Sequence, residues 1–377
     1  MLAYFEDNET VLLSCNSEGA LARVEQYSTT LSGDNVASRT LLSTERYYYD
    51  TVNRLTCTRV TDGDGEHFFR WTYDNNNNVT KLRETVNGRG YVYSHSYNAD
   101  QQPTETSYGS ALKTFTYDAL SRLSQTAVTW NGNPALTTSY GYKDLSSTRT
   151  TTQVSSLQNS YHGNTETFTY TYDNRGNIAT VSDGTHTTTY SYNFLNEMTW
   201  EYNEAEGKAW KYVSDKVGNM RSKTEYDYQN GQTSNPVVVA SYAYDNSNWR
   251  DLLTSYNGQT ISYDGVGNPT TYRGWTFTWK GGRQLATASN GTTSLSFVYN
   301  QSGLRTKKTV GTEEHRYVYL GSRLAAEITD SYALYFHYDA KGSPVGFTYD
   351  TGAASNGYLY RKNLQGDIVG VLNAAGN

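Results

Sequence analysis

Tyr170-Thr171-Tyr172-Asp173-Asn174-Arg175-Gly176-Asn177-Ile178 is the stretch whose reading decides the fold of this chain. Its aromatic rings stand at i and i+2, a period of two that puts both on one face of a strand and Thr on the other. Asp followed three residues later by Gly marks a type I turn. The carboxylate accepts backbone N–H bonds from the residues ahead, and Gly enters the left-handed region at no steric cost. Ile178 then opens a return strand. These nine residues spell strand, turn, strand.

The pattern recurs along the chain. Aligned on the first turn position, Asp50, Asp74, Asp118, Asp173, Asn193, Asp215, Asp245, Asp264, Asn300, Asp339 and Asn373 are followed three residues on by Asn53, Asn77, Ser121, Gly176, Asn196, Gly218, Asn248, Gly267, Gly303, Gly342 and Gly376. All but Ser121 are Gly or Asn, the residues that most readily adopt positive φ. Phe115-Thr116-Tyr117, Tyr190-Ser191-Tyr192, Phe297-Val298-Tyr299 and Phe336-His337-Tyr338 repeat the aromatic alternation. Neighbouring turns often lie ~20–24 residues apart, room for two strands and two turns. No segment reads as a helix. A lone hairpin cannot bury its aromatic face, so stacked hairpins must bury it jointly in a long antiparallel sheet that coils on itself. The polar inserts Ser156–Thr165, Gln229–Asn235 and Asp350–Gly357 are expected as rim or surface loops.

Composition agrees with that reading. A mean hydropathy of -0.73 would suggest disorder, but 36 of the 377 residues are Tyr, whose ring carries a large apolar area and favours strands. A net charge of -6 gives no footing for nucleic-acid binding. Cys15 and Cys57 make no disulfide framework and are expected as free thiols. Met1-Leu2-Ala3-Tyr4-Phe5-Glu6 lacks the basic start and apolar stretch of a signal peptide, and no apolar run approaches the ~20 residues of a membrane span.

A residue that recurs in every repeat builds the array, so the aspartates are read as turn formers, exposed and ionised. The six histidines, His67, His95, His162, His186, His315 and His337, lie apart without ligand spacing and read as ordinary strand or loop residues. Asp62-Gly63-Asp64-Gly65-Glu66 begins like a calcium loop but lacks the later ligands. No catalytic, cofactor or metal site is therefore expected. The tryptophans permit one other role, since Trp200, Trp210, Trp249, Trp275 and Trp279 could stack on sugar rings if exposed in grooves, although interior packing is the simpler reading.

The copies Tyr172-Asp173-Asn174-Arg175-Gly176-Asn177 and Tyr117-Asp118-Ala119-Leu120-Ser121-Arg122-Leu123 resemble the YD repeat of Rhs proteins, shared by toxin-complex C components, WapA-type wall-associated proteins and animal teneurins. Tyr358-Leu359-Tyr360-Arg361-Lys362-Asn363-Leu364-Gln365-Gly366-Asp367-Ile368-Val369-Gly370-Val371-Leu372 resembles the start of the Rhs-associated core. The resemblance implies degenerate N-terminal strands over 1–46, a YD-repeat β-shell over 47–357 and a truncated core over 358–377. It implies an all-β fold of antiparallel hairpins coiled into an open or partial shell, secreted or displayed on a bacterium. Such a shell encloses or presents a toxin C-terminal on the same polypeptide, and its cleavage follows an Asp-Pro-x-Gly-like site. No Asp-Pro dipeptide occurs in this chain, so neither the cleavage nor the toxin is assigned to these residues. The alternative is a cell-surface module that binds carbohydrate. A shell with open edges is also expected to associate through them.

Overall fold

The computed structural model describes residues 2–6, 9–32, 35–63 and 65–374. Every regular element among them is a β-strand, from Leu2–Glu6 to Ile368–Asn373. Each strand pairs antiparallel with its neighbours in sequence. The ladder is interrupted once. Gln259–Thr260 pairs back onto Ser255–Tyr256, and Ser262–Tyr263 starts a second sheet with Pro269–Tyr272. The result is a 22-stranded meander followed by a 12-stranded one.

Two kinds of turn produce this regularity, one on each rim. In the aspartate turns Asn53 N–H donates to the Asp50 carbonyl at 3.0 Å. Asp50 Oδ1 accepts N–H bonds from Val52 and Arg54. The same geometry recurs at Asp74, Asp118, Asp173, Asp215, Asp264 and Asp339, with positive φ at Asn77, Ser121, Gly176, Gly218, Gly267 and Gly342. Asn300–Gly303 closes alike, and so do Asn16–Gly19, Asn98–Gln101 and Asn363–Gly366, which the alignment above passed over. On the opposite rim Asn87-Gly88, Asn131-Gly132 and Asn230-Gly231 turn with both residues at positive φ, the type I′ geometry that matches strand twist. The expected loops at 156–165 and 229–235 are instead strand ends around tight hairpins, because His162-Gly163 and Asn230-Gly231 reverse the chain in two residues, and at 350–357 a loop spans 351–354 between two strands.

The motif tyrosine ties one repeat to the next. Its hydroxyl donates to a main-chain carbonyl in the strand returning from the preceding turn. Tyr49 bonds Leu21, Tyr73 bonds Leu55, Tyr97 bonds Val79, Tyr117 bonds Pro103, Tyr172 bonds Val154, Tyr192 bonds Ile178 and Tyr338 bonds Leu324, all at 2.6–2.9 Å. A bulge at the tyrosine recurs in these strands and re-aims the ring.

The expected turn at Asp245–Asn248 does not form. Asn246 Oδ1 instead caps Asn248 and Trp249 N–H, and Asp245 N–H bonds Thr254. Trp249 lies where a Cβ on Gly267 would sit, so ring and turn fit only because position 267 is glycine.

The second sheet runs over the first in the same order. Contacts between them join Glu9 to Lys280, Gln26 to Tyr299, Glu45 to Gln301, Glu84 to Arg323, Tyr93 to His337, Lys113 to Asp339 and Glu166 to Arg361. Both columns ascend. A sheet folded back like a hairpin would give one rising and one falling, so the meander coils. A cross-strand rung of Trp71, Leu82, Tyr93, Tyr108, Ala111 and Trp130 faces Val318, Ala326, Tyr335 and Leu359 in one apolar core. Between the coils, strands Ile178–Ser182 to Met220–Gln229 form a wall whose side chains are mostly half-buried.

Tyr73→Phe keeps the ring and removes only the hydroxyl bond to Leu55. We expect a loss of about 0.5–1.5 kcal/mol in urea unfolding. Gly267→Ala meets both positive φ and the Trp249 ring and should cost more than Tyr73→Phe. Equal losses would show that the glycine is not a steric requirement.

Candidate functional site: the seam between the layers

Ionisable and hydroxyl side chains concentrate where the coil overlies itself. Strands Val79–Val86, Arg89–Tyr97, Pro103–Tyr108 and Ala111–Tyr117 supply Glu84, Tyr93, His95, Thr106 and Lys113. Strands Arg323–Ile328, Ala333–Tyr338 and Pro344–Asp350 supply Arg323, His337, Thr348 and Asp350 from the other layer. Strand alternation explains the placement. Along Ala333–Tyr338 the buried positions are Ala333, Tyr335 and His337, and Leu334, Phe336 and Tyr338 take the half-exposed side.

His337 is 1% exposed. Its Nδ1 lies 2.8 Å from Tyr93 Oη and its Nε2 2.8 Å from Thr348 Oγ1. The Tyr108 ring stacks on it at 4.3 Å, and Tyr91 meets it edge-on at 4.9 Å. Burial, with the Arg89 charge adding to it, pushes the imidazole down to about 3. Burial likewise pushes His95 down to about 4 and Glu84 up to about 7, against the pull of Arg323 at 3.6 Å and the Tyr93 hydroxyl. Lys362, which donates to Ser343 Oγ at 2.8 Å, is lowered to about 8 by burial and by Lys113.

Asp339 departs from its expected role. The sequence reading places every motif aspartate at the exposed rim, but the Asp339 side chain is 2% exposed and pairs with Lys113 of the other layer at 2.7 Å. The cause is the residue four positions on. In other turns that side chain reaches back to the second carboxylate oxygen, as Arg54, Asn78, Arg122, Asn177, Asn219 and Asn268 do. Ser343 at that position donates its N–H to Oδ1, and Lys113 fills the other oxygen across the seam. Ala340 N–H also donates to Thr106 Oγ1 at 3.1 Å. Arg89–Asp350 and Arg361–Glu166 add two further pairs between the layers.

The remaining motif aspartates stand at the rim. Backbone N–H bonds from Arg54, Arg122 and Asn268 hold Asp50, Asp118 and Asp264 below the ordinary carboxylate range, and the Asn78 and Asn177 amides do so for Asp74 and Asp173. Asp64 and Gly376 lie outside the described residues. Among the described residues no group of three or more His, Cys, Asp or Glu comes together, and Cys15 and Cys57 are free.

The five tryptophans do not share a groove. Trp200 stacks on Tyr202 at 5.2 Å and meets Tyr226 at the same distance on the single-layer wall. Trp210 Nε1 donates to Glu225, and Trp279 Nε1 donates to the Pro269 carbonyl. Trp249 packs on Gly267, and Trp275 is half-buried in its strand.

A coiled antiparallel meander closed by Tyr-Asp turns is the wall that the resemblance to YD repeats implies. Sequence relatives and solved folds are similar to it. The tRNA3(Ser)-specific nuclease WapA of Bacillus spizizenii is 28% identical over 198 residues, and the tRNA nuclease WapA of Bacillus subtilis is 28% identical over 196. Each match spans 49% of this chain and 8% of the relative. The Photorhabdus luminescens Tc holotoxin pore, solved with a TccC3 mutation, superposes over 100% of this chain and 20% of its own, with TM-score 0.57 at 16% identity. The TcdB2–TccC3–Cdc42 complex gives 0.56 at 15%, over 98% and 20%. No family model matches the chain. The WapA relatives in sequence and the TccC3-containing structures in fold bear out the resemblance to the Rhs/YD-repeat family.

Asp339→Ala strands the Lys113 ammonium in the seam and should destabilise by about 3–5 kcal/mol in urea unfolding. Adding Lys113→Met should recover much of that loss, because the two residues form one unit. Asp74→Ala, at the open rim, should move the urea midpoint far less. Equal effects of Asp339→Ala and Asp74→Ala would remove the distinction.

Proposed function

We propose that this chain is a non-enzymatic stretch of an Rhs-type shell, secreted or held at the surface of a bacterium. Its wall encloses or presents a toxin domain that follows on the same polypeptide. The observation that carries this reading is the coil, in which ion pairs and an apolar core fasten the second layer onto the first. The likeness in fold to a chain of the Tc holotoxin pore along the whole sequence supports it. The wall between the coils presents Trp200, Tyr202, Tyr226 and Tyr228 as a half-buried ring ladder, a surface suited to an unfolded segment. A carbohydrate-binding module is the second reading, favoured by that same ladder.

Limited proteolysis of the complete polypeptide tests the enclosure. The region downstream of the shell should resist cleavage in the intact protein. It should be cut at least tenfold faster when Lys113→Glu and Arg361→Glu open the seam. Equal cleavage would count against enclosure, and turnover by the purified chain would count against a non-enzymatic role. Saturable binding of cell-wall sugars, lost on Trp200→Ala, would favour the second reading.

A further inference from the structure

We propose that the seam around His337 is an acid-operated latch. Protonation of His337 and His95 lifts the hairpin Ala333–Asp350 off the first layer while the other hairpins stay paired. The inference concerns the two layers alone and holds whatever the shell encloses.

The geometry singles out these two histidines. His67, His186 and His315 each lie within 4 Å of a carboxylate, Asp62 at 3.8 Å, Asp183 at 3.8 Å and Glu327 at 2.7 Å. Those imidazoles gain a partner when protonated. His337 is buried between the layers and His95 is half-buried beside it, neither with such a pair. The ring of His337 is surrounded by Tyr91, Tyr93, Tyr108 and Thr348, and the charged group beside it is Arg89, already bound to Asp350. Nδ1 of His95 lies 3.0 Å from Thr106 Oγ1, the atom that also accepts Ala340 N–H from the Asp339 turn. Asp339, which draws His95 up, is already paired with Lys113, and Arg323 works against it.

Beside the Arg361–Glu166 pair, the charges around this hairpin are Arg89, Lys113, Arg323, Lys341 and Lys362 against Glu84, Asp339 and Asp350. Two imidazolium ions would join an excess of positive charge in a dry layer, at high desolvation cost. Opening exposes both rings to water and relieves that cost. The part that moves is the single hairpin of Ala333–Tyr338 and Pro344–Asp350, and lifting it breaks its ladders to Arg323–Ile328 and Ser355–Lys362, which frees its amides to exchange.

The direction with pH follows from the shifts. Closed, His337 and His95 titrate near 3 and 4. Opened, they return to 6.5, so closure is fully favoured above 6.5 and loses favour as pH falls below it. Glu84 acts in the opposite sense. Its carboxyl holds a proton up to about 7 when closed and only to 4.5 when open, so it favours closure as pH falls from 7 to 4.5. Glu84 therefore delays the opening. At up to tenfold per proton per pH unit, the histidines prevail by pH 4.5, with a net loss of closure on the order of tenfold to a hundredfold relative to pH 6.5.

Hydrogen exchange measured by mass spectrometry on the whole chain at pH 6.5, 5.5 and 4.5, corrected for intrinsic exchange, reads this directly. Protection of peptides spanning 333–350 should fall by that factor, with strands 178–203 keeping theirs. The double variant His337→Gln, His95→Gln should show no such fall. Glu84→Gln should deepen the fall by roughly another tenfold, since the opposing carboxyl is gone. Three results would overturn the latch: constant protection at 333–350, an equal loss in the double variant, or a loss spread evenly over all strands. If the double variant does not fold, the direction of change in Glu84→Gln decides alone.

Discussion

The bond from each motif tyrosine hydroxyl to a carbonyl in the preceding repeat is the constraint on which the structure depends. A hairpin closed by its own turn is marginal. Joined at 2.6–2.9 Å to the strand behind it, it becomes one unit of a continuous wall. The bond fixes ring orientation, and the bulge beside it sets where the strand bends. Tyr142 and Tyr319 make the same bond, to Leu123 and Arg305, where no Tyr-Asp turn follows. The clamp is thus more widely distributed than the dipeptide that first marks it.

Single-layer and double-layer stretches follow from what each strand has behind it. Where the coil overlaps, one pleat becomes dry, and polar groups there must find partners across the gap. Lys113 and Asp339 do so, and so do Glu84 and Arg323. Where there is no overlap, as around Trp200 and Tyr226, rings remain half-buried and cations such as Lys211 and Lys223 sit over Trp200 and Trp210. Residues of both layers between 26–71 and 298–323 line a cavity of about 1040 Å³.

Local structure was legible in the sequence because turn chemistry and strand alternation act over a few residues. Asp173 to Gly176 could be read directly. The two-residue hairpins were legible too, since Asn87-Gly88 and Asn230-Gly231 carry the strongest short-range hairpin signal, though the expected loop at 229–235 overlooked it. Asp245–Asn248 matched the motif yet failed: Asn246 caps Asn248 and Trp249 instead, and the Trp249 ring lies over Gly267, a contact that no local rule foresees. The seam was illegible for another reason. Nothing near Glu84, Lys113 or His337 distinguishes them until residues more than 200 positions away arrive. Ser343 offered a hint, as a short residue where other turns carry Arg or Asn.

Strictly sequential pairing has a consequence for how the wall comes into being. No strand waits for a distant partner to complete its ladder, so each hairpin can close within microseconds of its second strand becoming available. Long-range loop closure, the step that makes most large β-proteins slow to fold, is deferred to the docking of finished layers. The wall can grow by addition at one end, as a repeat array does, and be taken apart from that end in the same order. A chain that must leave a ribosome or thread a narrow passage is well served by such an order of assembly.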